Sequence, residues 1–200
     1  MKYFLKGLVG LNTILLKIGR QFAWIAIGLM VIIILIQVFF RYGLNSALPW
    51  PDEAARFLML WMTGFIAPSA YRWGGFVSIE MLFRLLPSRI IKFLILILLM
   101  ISMMVLVVGL NFGLKHVESG WLFYSSSMKW PLQLIGMEAT RMKLAWMYMS
   151  LPVGLTLMTL VNIELIIKNF ILLWNPNFEI PEDPDPVSYT HLTLPTKRIV

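Results

Sequence analysis

Four stretches of this chain run without a single charged side chain. They are Phe22 to Phe40, Phe57 to Tyr71, Phe93 to Leu114 and Leu144 to Ile163, of nineteen, fifteen, twenty-two and twenty residues. A helix crossing a bilayer needs about 20 apolar residues, within a range of roughly 17–25. The first, third and fourth stretches meet that length outright. The second reaches it when Ala54 and Ala55 join it and Arg56 snorkels to the surface. Of all 200 residues, 59% are hydrophobic and 14% charged, whereas a soluble domain has about 25% charged residues. These features predict an all-α integral membrane protein. Four transmembrane helices are expected at about 22–42, 54–72, 91–114 and 144–166, within a membrane domain spanning 21–174.

The flanks of that domain read differently. In residues 1–20, Lys2, Lys6, Lys17 and Arg20 punctuate Leu5, Leu8, Val9, Leu11, Ile14, Leu15, Leu16 and Ile18. This pattern predicts an amphipathic lead lying in the membrane interface. Residues 175–200 hold five of the eleven prolines and four of the ten acidic residues. Each proline removes a backbone donor, so a disordered tail is expected there. From 187 onward the tail resembles the translated end of a sequencing adapter and reads as foreign to the protein.

Charge sets the expected orientation. With four spans and the N-terminus inside, eleven Lys and Arg fall on the inner side and six on the outer. Positive residues concentrate on the cytoplasmic face, so both termini are expected in the cytoplasm. The net charge of +7 would suggest nucleic acid in a soluble protein. Here the bases flank apolar runs, and membrane lipids are the expected partner, with no nucleic acid. Trp50, Trp121, Trp130 and Trp146 fall near the outer boundary, where amphipathic rings favour the headgroup level.

Little in the sequence supports chemistry. There is no cysteine, and the two histidines, His116 and His191, lie outside the four charge-free stretches. An intramembrane serine nucleophile would have no histidine base within the spans. Metal ligands are not clustered, and no glycine-rich phosphate loop follows a strand. No catalytic residue, metal or cofactor is expected. A carrier acting alone is also disfavoured, because such proteins place ionisable groups or broken helices at midplane. Glu164 sits at one end of the fourth stretch, with Lys168 at i+4 as a local partner on the helix surface.

Two loop motifs stand out. In Trp50-Pro51-Asp52-Glu53-Ala54-Ala55-Arg56, Pro51 suits a first helical turn and the acids complement the helix dipole. Arg56 lies three and four residues beyond those acids, in reach of both. In Arg72-Trp73-Gly74-Gly75-Phe76-Val77-Ser78-Ile79-Glu80, the glycines close the second span.

The order of these motifs, with a basic lead before them and Trp146-x-Tyr148-x-x-Leu151-Pro152-Val153-Gly154 at the end, resembles a known family. It is similar to the small membrane subunit, DctQ-type, of tripartite ATP-independent periplasmic (TRAP) transporters, over roughly residues 20–172. Family members often carry Arg-x-x-x-His-Ile-x-Val-Asp after the second span. Arg72, Val77, Ile79 and Glu80 fit that pattern, while Phe76 stands where histidine is usual. The resemblance implies a scaffold subunit in the bacterial inner membrane. Its partners would be a large TRAP permease subunit and a periplasmic solute-binding protein, and an ion gradient would drive uptake of an organic acid. The alternative is an accessory or assembly subunit of another four-span inner-membrane complex. Candidate interface or docking residues are Trp50, Asp52, Glu53, Arg56, Arg72 and Glu80.

The charge bias generates a direct expectation. A periplasm-active reporter fused after Asn175 gives no signal, and one fused within 115–140 gives a strong signal. The opposite pattern reverses every loop assignment.

Overall fold

The computed structural model describes residues 2–73, 88–130 and 140–174. Helix α1 (Lys2–Val38) ends in one π-helical turn, Phe39–Gly43. Then follow α2 (Pro51–Arg72), α3 (Ser88–Gly120), strands β1 (Tyr124–Lys129) and β2 (Arg141–Lys143), the short α4 (Ala145–Tyr148) and α5 (Ser150–Trp174). The expectations for Glu80, for Phe76 and for the 175–200 tail, including its break at 187, lie outside the described residues.

Among the described residues, three stretches are long and apolar enough to cross a membrane: Leu5–Gly43, Ile90–Gly120 and Ala145–Trp174. They contain the first, third and fourth expected spans. Helices suit such sequences because each backbone N–H and C=O is paired within the segment, which hydrocarbon demands. The stretch expected to be a separate lead is continuous with the first span in one helix. Leu5 and Val9 on it are buried against Ile171 of α5. The second expected span is a 22-residue helix, but it is not among the three. Its sequence holds Thr63, Gly64, Pro68 and Ser69 between Arg56 and Arg72.

That composition matches its place. Helix α2 lies between α1 and α5, and α3 packs along α5. Small residues allow close approach. A Cβ on Gly64 would come within 2.7 Å of the Ser150 carbonyl oxygen, and one on Gly154 within 2.8 Å of the Gly64 carbonyl oxygen. The backbones of α2 and α5 therefore touch where these glycines cross. Leu16, Tyr71 and Val161 form a buried cluster joining α1, α2 and α5.

The break between α4 and α5 has a local cause. Pro152 has no N–H to donate to the Tyr148 carbonyl, and its ring crowds that turn. The chain resumes as helix from Ser150, with Val153 N bonded to the Met149 carbonyl at 3.2 Å.

The fold is mostly helical, but the all-α expectation needs one correction. Strands β1 and β2 pair antiparallel, with Tyr124 opposite Lys143, Lys129 opposite Arg141 and an irregularity between them. No period-2 apolar alternation marks Tyr-Ser-Ser-Ser-Met-Lys as a strand. Strand β1 is instead held by a side chain from another element, described next.

Candidate functional site

Two carboxylates organise opposite ends of the bundle. At one end, Glu164 of α5 is fully buried. Its Oε1 accepts from Arg72 Nη2 at 3.0 Å, Arg72 Nε at 3.2 Å and Lys168 Nζ at 2.6 Å. Its Oε2 accepts from Asn12 Nδ2 at 2.7 Å. Arg72 also donates to Thr13 Oγ1 at 2.9 Å and to the Val9 carbonyl at 3.4 Å. Helices α1, α2 and α5 thus converge on one acid. A buried charge in apolar surroundings is tolerable only when paired and hydrogen-bonded, and this one is both.

A second polar link lies near it. Tyr71 Oη donates to Asn162 Oδ1 at 2.9 Å, and Asn162 Nδ2 donates to the Leu99 carbonyl at 3.1 Å. This joins α2 to α5 and α5 to α3. Arg20 of α1 covers the Trp73 ring, 4.8 Å from its centroid.

At the other end, Glu53 in the first turn of α2 reaches across to β1. Its carboxylate accepts from Ser125 Oγ at 2.6 Å, Ser126 Oγ at 3.2 Å and Ser127 Oγ. It also accepts from the backbone N–H groups of Ser126 at 3.1 Å, Ser127 at 2.8 Å and Met128 at 3.1 Å. Burial alone would raise the Glu53 carboxyl pKa. The side-chain hydrogen bonds of Ser125 and Ser127, with the backbone ones of Ser127 and Ser126, outweigh that and hold it at about 2. Hydrogen bonds to the charged form favour it.

The candidate residues therefore separate into distinct roles. Glu53 and Arg72 bind other elements of the same chain. Asp52 and Arg56 are exposed. Among the described residues, no ion pair joins Arg56 to either acid, which corrects the expected pairing. The i+3 and i+4 spacing permits that contact, but β1 takes the Glu53 carboxylate instead. Trp50 is partly exposed and its carbonyl accepts from Ala54 N at 3.0 Å, opening α2. Glu80 lies outside the described residues.

The local Glu164–Lys168 pair is present as expected. Its two further partners come from α1 and α2, and no spacing along α5 could reveal them. A lone acid at the edge of an apolar run was the available signal. The three consecutive serines carried no comparable one.

Both carboxylates are fully engaged as acceptors, so the arrangement ties elements together rather than presenting a base or a ligand site. Among the described residues, no group of three or more His, Cys, Asp or Glu gathers to hold a metal ion.

The family model for the DctQ component of tripartite ATP-independent periplasmic transporters matches residues 30–171. The chain belongs to this family, which is one of membrane transport components and not of enzymes. No curated protein matches the chain.

Two expectations follow from the carboxylates. Glu164→Ala leaves the Arg72 and Lys168 cations facing each other, and costs about 3–5 kcal/mol as expected for breaking a buried pair. Arg72→Ala, which leaves Glu164 with Lys168 and Asn12, costs less; thermal unfolding in detergent checks the order.

For Glu53, the folded pKa lies below an unfolded value of about 4.3. Its contribution is thus complete above that value and is lost as pH falls towards about 2. Amide protection over 126–128, taken relative to the intrinsic exchange rate at each pH, should be constant from pH 8 to 5 and fall below pH 4. Glu53→Gln should abolish that acid-dependent step.

Proposed function

We propose that this DctQ component is the small scaffold subunit of a TRAP transporter. In this reading it supports ion-gradient-driven uptake of an organic acid. It assembles in the bacterial inner membrane with a large permease subunit and works with a periplasmic solute-binding protein. Residues 54–72 of α2 count as the fourth span, since nineteen residues rise about 28 Å at 1.5 Å per residue and hydrocarbon is about 30 Å thick. Both termini are cytoplasmic, which puts the Glu164 cluster at the inner side and the Glu53 cluster at the periplasmic side. The basic residues of the first turns of α1 then lie at the inner headgroup level, and the membrane domain covers 21–174.

One observation carries the scaffold reading. Ten polar side chains of the helices are bonded within the chain, with Ser69 Oγ on α2 as a buried exception. Asn12, Thr13, Tyr71, Arg72, Asn162 and Glu164 bond between helices. Thr63, Asn111, Thr156 and Thr159 bond back to their own helices at i−4. A carrier must offer its solute polar partners inside the membrane, because an unpaired polar group there costs several kcal/mol. These side chains offer none. What the bundle does present outward is apolar. Ile14, Ile18, Phe22 and Ile25 of α1 and Met104, Val105 and Phe112 of α3 are exposed. Between α1 and α2 an apolar groove of about 330 Å³ is lined by Phe22, Ile25, Ala26, Leu29, Leu58, Trp61 and Phe65. Lipid and the permease are the occupants this reading assigns to those surfaces. On the periplasmic side, Asp52 and Arg56 at the start of α2 are exposed charges available to the binding protein, as are Arg41, Lys115, Glu118, Lys129 and Arg141, while Glu53 shapes that face from within.

Reconstitution tests it. In liposomes with a sodium gradient the chain alone moves no organic acid, and with its permease and binding protein it supports uptake. Asp52→Lys lowers that uptake while the subunit stays in the membrane. Asn162→Ala and Asn111→Ala change assembly or amount more than substrate choice. Accumulation by the chain alone, or a specificity switch in either Asn variant, would place a transport path within these helices and refute the scaffold reading.

A further inference from the structure

The turn joining α3 to β1 exposes four consecutive large side chains. Trp121 is 43% exposed, Leu122 77%, Phe123 60% and Tyr124 56%. They begin one residue after the membrane-crossing stretch Ile90–Gly120 ends. The turn is firmly built. The Leu122 N–H donates to the Ser119 carbonyl at 3.1 Å, and Leu144 N to the Phe123 carbonyl at 3.1 Å. Lys143 Nζ donates to the Trp121 carbonyl at 3.1 Å. The same ammonium lies 5.6 Å from the Trp121 ring centroid and 5.3 Å from that of Tyr124. Trp146 stands edge-on to both Trp121 and Trp130, each at 6.1 Å. Beyond the strands, Glu53 fixes β1 to α2.

We propose that this turn is a membrane-surface anchor, with Leu122 and Phe123 inserted at the boundary of acyl chains and headgroups and Lys143 set for lipid phosphate. Three features choose phospholipid as the occupant. Continuity with a crossing helix places the turn at the membrane surface. Displaying Leu and Phe to water forgoes the favourable free energy that burying their apolar surface would return. Trp and Tyr combine an apolar body with a polar edge, which suits the headgroup level.

Charge agrees. Between 115 and 143 the sequence carries Lys115, Lys129, Arg141 and Lys143 against Glu118 and Glu138. A basic excess near the surface attracts anionic lipid. The proposal requires only that the chain is membrane-embedded. It holds for either orientation of the bundle and with or without transport activity.

The natural absence of cysteine allows single labels on the full chain. Nitroxides at Leu122→Cys and Phe123→Cys, in nanodiscs of phosphatidylcholine with phosphatidylglycerol, should be several-fold more accessible to oxygen than to a water-soluble nickel chelate. Asp52→Cys should show the reverse. Nickel accessibility at 122 and 123 matching that at 52 overturns the proposal. Shielding from the chelate that arises only when the permease is co-reconstituted also overturns it, in favour of a protein partner. A label-free measurement covers the case in which the cysteine variants do not fold. Phosphatidylglycerol should raise the melting temperature of the unmodified protein above its value in pure phosphatidylcholine, and Lys143→Glu should diminish that gain. An unchanged gain overturns the role of Lys143.

Discussion

The bundle depends on one buried carboxylate. Glu164 has no solvent exposure, and Arg72 beside it is only 4% exposed in its side chain. An acid in that setting is stable only with its partners in place, so three helices must arrive together. Helix α1 brings Asn12, α2 brings Arg72, and α5 supplies the acid and Lys168. The hydrophobic effect does not set this register in lipid, because acyl chains solvate Leu and Ile as well as another helix does. Directional polar contacts do set it. The apolar clusters on either side, Leu5–Val9–Ile171 and Leu16–Tyr71–Val161, then fall into place along the same three helices.

The helical content was legible because hydrocarbon leaves the backbone few choices. A charge-free run of about twenty residues in such a chain is helical: Phe93–Leu114 lies within one helix, and Leu144–Ile163 runs through two, α4 and the first part of α5. Local signals also worked where the cause is local. Pro51 with Asp52 and Glu53 opens α2, and Glu164 pairs with Lys168 one turn on. What failed was anything carried across the chain. The Glu53 carboxylate had Arg56 within helical reach, yet its partners lie more than seventy residues away in Ser125, Ser126 and Ser127. The hairpin itself was invisible because its strand has no alternation; a carboxylate supplies the order that a side-chain pattern normally provides. Likewise Asn162 reads as a tolerated amide in an apolar helix, but it receives Tyr71 and donates to the α3 backbone.

Helix α2 shows how composition follows neighbours. It is the least apolar of the long helices, and it lies between α1 and α5. A lipid-facing helix gains from large aliphatic side chains. A helix enclosed by other helices gains from small ones, and Gly64, Ala67 and Ser69 occupy that kind of surface. Family membership rests on residues 30–171, a range that contains both carboxylates, Arg72 and the three serines but not Asn12 or Thr13 of α1.

The two carboxylate clusters have a mechanical consequence for α2. Its first turn is clamped through Glu53 and its last through Arg72, some nineteen residues apart, or about 28 Å at helical rise. Between them, the Gly64–Gly154 crossing keys its backbone against α5. A rod pinned at both ends and notched in the middle can neither slide along its axis nor turn about it. In kinematic terms α2 has no independent degree of freedom, and α1, α2 and α5 form a single body. Helix α2 is thus the keel of the bundle, held to its neighbours at both ends and at its middle.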